Sequence, residues 1–129
     1  MADDALEQGR AVRTAVLGQK HVERSRQRAT GFDAEWQDFL TRQAWAAVWT
    51  RPGLDHRTRS MLTIAMLASL GHEEELKLHI RATRNTGVTR DEVKEILLHL
   101  SVYAGVPAGN TAFRVARAAF EEMDREEDG

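Results

Sequence analysis

The sequence predicts an all-α fold, a single-domain helical bundle of about six helices, and three observations carry that reading. Apolar residues recur at spacings of three and four almost throughout. No run of four to eight residues alternates apolar and polar with β-branched enrichment, as a strand would. The breaks between periodic stretches fall at glycine and proline, at Gly18, Pro52-Gly53, Gly71, Gly87 and Gly105. With 129 residues, 42% of them hydrophobic and 29% charged, one domain over 1–129 is expected, whose modest core would gain from oligomerisation.

The first helix is predicted from about Asp4 to Leu17, with Ala5, Val12 and Val16 among its apolar positions and Gly18 as its stop. Gln19 to Gly31 is polar, rich in arginine and weakly periodic. It reads as a loop or short helical turn, and with the first helix it makes an N-terminal arm (1–31) that could pack on another subunit. The second helix begins after Asp33, a cap candidate, and carries Trp36, Phe39, Leu40, Ala44, Ala47 and Val48 on one side until Arg51-Pro52-Gly53. Asp55 caps a third, His56 to Leu70, which is apolar nearly all round from Met61 onward and is therefore expected in the middle of the core. The fourth, Glu73 to Thr86, has three acids in its first turn, basic residues later and Gly87 behind it, all complementary to the helix dipole. Thr89 and Glu92 form a capping box for the fifth, with an apolar stripe of Val93, Ile96, Leu97, Leu100 and Ala104. Gly105 to Asn110 breaks it. The sixth buries Phe113, Ala116, Ala119, Phe120 and Met123, and the charged tail, 124–129, is expected to fray.

Composition narrows the function classes. Eighteen Lys and Arg against 20 Asp and Glu leave no basic excess of the kind a phosphate backbone requires, so nucleic acid is not an expected partner. No apolar run approaches the roughly 20 residues that span a bilayer, and the acidic, polar start is unlike a secretion signal. No membrane association and a cytoplasmic location are expected. The chain has no cysteine, which removes disulfides, thiolate nucleophiles and Cys-type zinc sites. Chemistry then falls to His, carboxylates, Arg, Tyr or Ser/Thr.

His72, Glu75 and His79 stand at spacings of three and four and would share one helix face, superficially like a metal-binding face. No metal site is assigned: His72 adjoins Gly71, where the helix only begins, and no second His/carboxylate motif occurs on another helix. Glu75 and His79 at i, i+4 are open to two readings. They make a surface pair worth a few tenths of a kcal/mol, or a general acid with its carboxylate, because His79 lies between Leu76 and Ile80 at the edge of the apolar face. His99 reads as a core or interface histidine, and His21 and His56 as solvent-exposed. Trp36, Trp45 and Trp49 read as core residues, with Trp49 also able to line a pocket mouth. Arg57 and Arg59 oppose the dipole in the first turn of their helix. An anionic partner would explain that placement, and so would a salt bridge to Asp55 or to the acidic fourth helix.

The stretch ELKLHIRATRNTGVTRDEVKEILLHLSVYAGVPAGNTAF, Glu75 to Phe113, resembles the signature of the carboxymuconolactone decarboxylase family. WTRPGLDHRTRSMLTIAMLASLG, Trp49 to Gly71, is similar to the helix that precedes it there. The LHIRA core, the GVTRDEVKE cap and the YAGVPAGNTAF break are specific in combination. The resemblance implies an alkylhydroperoxidase-D-like fold and a homo-oligomer, commonly a hexamer built as a trimer of dimers. In the peroxidase branch the equivalent helix carries C-x-x-C-x-x-x-H. Aligning that His with His79 puts His72 and Glu75 at the cysteine positions, which rules out peroxidase activity, and puts Ser60 where a relay glutamate would stand.

What the resemblance implies about activity is cofactor-free decarboxylation of 4-carboxymuconolactone, a dicarboxylate lactone of protocatechuate breakdown, to 3-oxoadipate enol-lactone. His79 would protonate the substrate with Glu75 beside it. Arg59, Arg57 or Arg81 would hold the remaining carboxylate, and Trp49 and Tyr103 would line the pocket. Two other readings stay open at this point: a non-catalytic helical oligomer, and a lyase or isomerase acting on another carboxylated lactone.

Overall fold

The computed structural model describes residues 3–128 and, of Asp128, the backbone only. Met1 and Ala2 of the N-terminal arm and Gly129 of the expected tail lie outside the described residues. Among those described, the secondary structure is helical, with no strand. Among the described residues no helix is long and apolar enough to cross a membrane. Eight α-helices and one π-helical segment stand among the described residues where about six helices are expected, and the chain divides into two compact units, residues 1–56 and 57–129.

In the first unit α1 (Asp4–Leu17) ends where its pattern predicts, at Gly18. Gly18 has φ 94, a backbone shape that side chains resist, and it turns the chain directly into α2 (Gln19–Arg28). A loop or single turn is expected here; a ten-residue helix forms instead. Gln, Lys, Glu and Arg are good helix formers, but α2 buries no residue, so it shows no apolar period. Asp33 does not cap α3 (Ala34–Leu40) through its side chain. Its carboxylate accepts from the Thr30 amide (2.6 Å) and hydroxyl (3.1 Å), closing the turn before the helix.

The helix then widens into a π-helical segment, Thr41–Trp49. Thr41 and Thr50, at its two ends, donate their hydroxyls to the carbonyls of Gln37 and Ala46 four residues back, a bond that competes with the backbone ladder. Gly9 of α1 is buried against this segment: a Cβ there would stand 2.8 Å from the Thr41 carbonyl oxygen and 3.1 Å from the Ala46 Cβ. Leu6, Val16, Leu17, Trp45 and Trp49 are the buried apolar residues of this unit. Trp36 and Phe39 are not core residues as expected; they stack on each other at 5.6 Å on the outside, with Phe32 exposed nearby in sequence.

The second unit holds all but the first residue of α4 (His56–Leu70), then α5 (Glu73–Arg81), α6 (Thr83–Thr86), α7 (Arg90–Ala104) and α8 (Val106–Asp128). Ile64, Leu76, Ile80, Val93, Leu97 and Ala119 form the fully buried centre of its core, and α8 packs against α5 and α7. The α4 helix buries only the stripe Ser60, Ile64 and Ala68. It is not apolar in order to sit mid-core, because Leu62, Met66 and Leu70 lie on an uncovered face, 43%, 59% and 70% exposed.

The capping box forms as predicted: the Glu92 amide donates to the Thr89 hydroxyl at 3.1 Å and the Thr89 amide donates to the Glu92 carboxylate at 2.9 Å. At the other end of α7 the break is a single residue, Gly105 at φ 107, and Val106 already opens α8. Pro107 fits there because the first turn of a helix needs no amide donor from it. Helix α8 continues through the residues expected to fray. Arg90 holds Asp124 through two guanidinium nitrogens, at 2.7 and 3.2 Å, and Glu126 accepts from both Arg81 and Arg84.

Candidate active site

Glu73, Glu74 and Glu75 occupy the first turn of α5, where the free amides favour negative charge, and His79 and Arg81 fall in its last turn, where free carbonyls favour a cation. The helix ends early. Ala82, at φ −69 and ψ −12, stands between α5 and the next helix with its amide still bonded to the Leu78 carbonyl at 3.0 Å, and the Thr83 hydroxyl donates to the Ile80 carbonyl at 2.6 Å. The one-turn α6 follows and ends at Gly87.

The break leaves a row of buried polar side chains on one face: His79, Thr83 and Thr86 at spacings of four and three. Opposite, on α4, Ser60 is fully buried, and the Thr86 hydroxyl donates to it at 3.0 Å. These four are the buried polar residues of the second unit among the described residues, and the same α4 and α5 carry Ile64, Leu76 and Ile80, each at most 1% exposed. Sequence reasoning singled out His79 and noted Ser60, but missed Thr83 and Thr86. Their spacing from His79 was the available signal.

His79 is 9% exposed, and Glu75, one turn earlier on α5, faces solvent. Two of the arginines are engaged: Arg57 pairs with Glu92, the capping residue of α7, and Arg81 pairs with Glu126. Arg59 is half-buried on α4, next to Ser60. Trp49, in the first unit, is buried against Trp45 (ring centroids 4.9 Å apart) and the half-buried His56 (5.8 Å). Tyr103 is at the surface, 82% exposed, stacked at 5.3 Å on His99, which is exposed and not a core residue. His72 precedes α5 as an exposed flanking residue, and among the described residues no three His, Asp or Glu side chains converge as a metal ion would require. A hollow of about 440 Å³ lies between α4 and α7, lined largely by Met61, Leu62, Ile96 and His99; His79 does not line it.

A buried imidazole in the last turn of a helix is suited to delivering a proton. Residues 34–118 match the model of the carboxymuconolactone decarboxylase family. The chain is 51% identical to 4-carboxymuconolactone decarboxylase of Acinetobacter baylyi over 121 residues, covering 94% of this chain and 90% of the relative. It is 39% identical to the nitrosuccinic acid decarboxylase npaB of Metarhizium robertsii, covering 92% and 82%. With the family model spanning α3 to the middle of α8 and these relatives aligned over nearly their whole length, the chain belongs to the carboxymuconolactone decarboxylase family.

Proposed function

We propose that the protein is a carboxy-lyase that decarboxylates 4-carboxymuconolactone to 3-oxoadipate enol-lactone in aromatic-acid catabolism, with His79 as the proton donor. The observation that carries the site is the burial of His79 in the last turn of α5. Half-identity to a decarboxylase named for this substrate supports the reaction. In that substrate the departing carboxylate is on a ring carbon joined through C=C to the lactone carbonyl. When the C–C bond to the carboxylate breaks, its electron pair moves onto the carbonyl oxygen as a furan-like dienolate. The substrate is thus its own electron sink, and the reaction needs no cofactor. Protonation alpha to the carbonyl completes it, so each turnover takes one dianion and one proton to one monoanion and carbon dioxide.

His79 supplies the proton, Glu75 restores and orients it, and Arg59, Arg57 or Arg81 holds the acetate carboxylate, with Tyr103 as a pocket wall. Arg57 and Arg81 would have to exchange a carboxylate of the protein for one of the substrate. The enzyme is read as a cytoplasmic homo-oligomer, a hexamer by family resemblance. Support for assembly comes from the uncovered apolar stripes, Leu62, Met66 and Leu70 on α4 and Leu98 and Val102 on α7.

The test is loss of lactone absorbance on adding the purified protein, the lactone being generated in place by its cycloisomerase. His79→Ala is expected to lose 10²–10⁴-fold in kcat, the usual worth of a positioned general acid. Full turnover by His79→Ala overturns the assignment of His79, and an inactive wild type overturns the substrate. The similarity to nitrosuccinic acid decarboxylase favours a second substrate for the same site. A nitro group beside a carboxylate also receives the electron pair as carbon dioxide leaves, so nitrosuccinate is the second compound to assay.

A further inference from the structure

The first unit contains a hollow of about 390 Å³ enclosed by α1, α2 and the start of α3, which the decarboxylation reading does not use. Its wall carries Arg10 and Arg13 from α1, Arg26 from α2, and Gln37 from α3, together with Glu23 and Asp38. Arg10 is matched by Asp38 at 3.5 Å. Arg13 is not matched by a carboxylate among the described residues. One of its terminal nitrogens donates weakly to the Gln37 side-chain oxygen at 3.4 Å, and its Nε is buried with no hydrogen-bond partner. Arg13 is half-buried, and that partial loss of water, with no counter-charge beside it, holds it below its ordinary pKa.

The surroundings add to the positive potential. Lys20, Arg24 and Arg28 join Arg26 on α2 against one acid, Glu23. Burial first, and then Arg13, Arg24 and Arg28, push the His21 imidazole down. Within the wall itself three arginines face two carboxylates, and Arg13 carries the buried nitrogen that has no hydrogen-bond partner. Arg26, by contrast, is exposed.

We propose that this hollow binds a small dicarboxylate, one carboxylate on Arg13 and the other on Arg26. A half-buried guanidinium and an exposed one on the same wall offer paired donors to each end of a ligand with two carboxylates, and the volume lies within the range that takes a small ligand. The inference does not rest on His79 or on the proposed reaction.

Titration calorimetry of the full chain with adipate, with dimethyl adipate as its neutral counterpart, tests it. Binding of adipate but not the diester is expected. Affinity is expected to fall at least tenfold in Arg13→Gln and in Arg26→Gln and to stay unchanged in His79→Ala, with circular dichroism confirming that each variant keeps its helix content. Arg26→Gln, on the exposed rim, keeps the test valid even where Arg13→Gln perturbs folding. Absence of adipate binding to the wild type overturns the proposal. So does binding that is lost in His79→Ala but kept in both arginine variants, and so does a signal that sodium chloride reproduces at equal ionic strength. A failure of lactone turnover would leave all of these outcomes readable.

Discussion

Gly9→Ala sets two physical effects of opposite sign against each other. Gly9 lies inside α1, where alanine is intrinsically better by about 1 kcal/mol. On propensity alone the substitution stabilises. The added Cβ, however, meets the Thr41 carbonyl oxygen at 2.8 Å and the backbone nitrogen and Cβ of Ala46 at 3.1 Å each. Three contacts below ordinary van der Waals distance, two of them with backbone atoms, cannot be relieved by turning a side chain. Either α1 moves off or the π-helical segment distorts. Overpacking costs about 1–3 kcal/mol, and the upper end applies where backbone must shift. The expected net is a loss of about 2 kcal/mol after propensity is subtracted. Urea denaturation followed by circular dichroism, at one fixed protein concentration so that assembly does not alter the comparison, reads it. Ala46→Gly removes one of the three close atoms, so Gly9→Ala/Ala46→Gly is expected to recover part of the loss and not all of it. A Gly9→Ala variant as stable as wild type, or more so, refutes the close crossing of α1 and the π-helical segment.

Ser60→Ala strands the buried Thr86 hydroxyl and is expected to cost about 1–3 kcal/mol in denaturant unfolding. Thr86→Val added to it removes the stranded group and is expected to return most of that loss. Thr89→Ala deletes the hydroxyl that accepts from Glu92 and is expected to lose about 1 kcal/mol, whereas Thr89→Ser keeps it. Acid should loosen the end of α8. The hydrogen bond from Arg90 holds the Asp124 carboxyl below its ordinary value, and those from Arg81 and Arg84 hold Glu126 down. A carboxyl depressed in the folded state stabilises at pH above its unfolded value of about 4, and that contribution fades as pH falls through the lower folded value. Unfolding midpoints measured from pH 6 to pH 2 should therefore converge for wild type and Asp124→Asn at the acid end, and a constant gap down to pH 2 would count against the pairing.

How far the fold was legible depends on whether its cause is local. Gly18, Gly71 and the Thr89/Glu92 box sit beside the boundaries they set, and α1, α4 and the start of α7 fall where the pattern predicts. Helix α2 left no trace in the period because it buries nothing. The α5–α6 break was hidden because it occurs at Ala82, an excellent helix former. Its structural mark is the Thr83 hydroxyl on the Ile80 carbonyl, which composition does not announce. For α4 the apolar content was read correctly and its meaning was not: periodicity cannot distinguish a stripe that meets the core from one that faces outward uncovered. The site divides in the same way. Spacing and resemblance together pointed to His79. The partners of Arg57 and Arg81 were out of reach of local reasoning because Glu92 and Glu126 lie on α7 and α8, far along the chain.

The Ser60–Thr86 pair also bears on how the proposed reaction is fed with protons. At this position, by family resemblance, the peroxidase branch keeps a relay glutamate. Here a fully buried serine accepts from a threonine, and neither hydroxyl ionises near neutral pH. An ionised glutamate in that core would need a buried cation beside it, whereas the hydroxyl pair is neutral and demands none. Decarboxylation of a dianion to a monoanion consumes one proton per turnover, so the donor must be recharged from water each time. On the proposed mechanism the recharging side is therefore the α5 face that carries Glu75, which is open to solvent, and not the interior that carries Ser60. Glu75→Gln should then slow turnover most at high pH, where reprotonation of His79 limits the cycle, while Ser60→Ala should change stability and leave the pH profile of kcat where it was. A shifted profile in Ser60→Ala with an unchanged one in Glu75→Gln would place the proton path on the opposite side of His79.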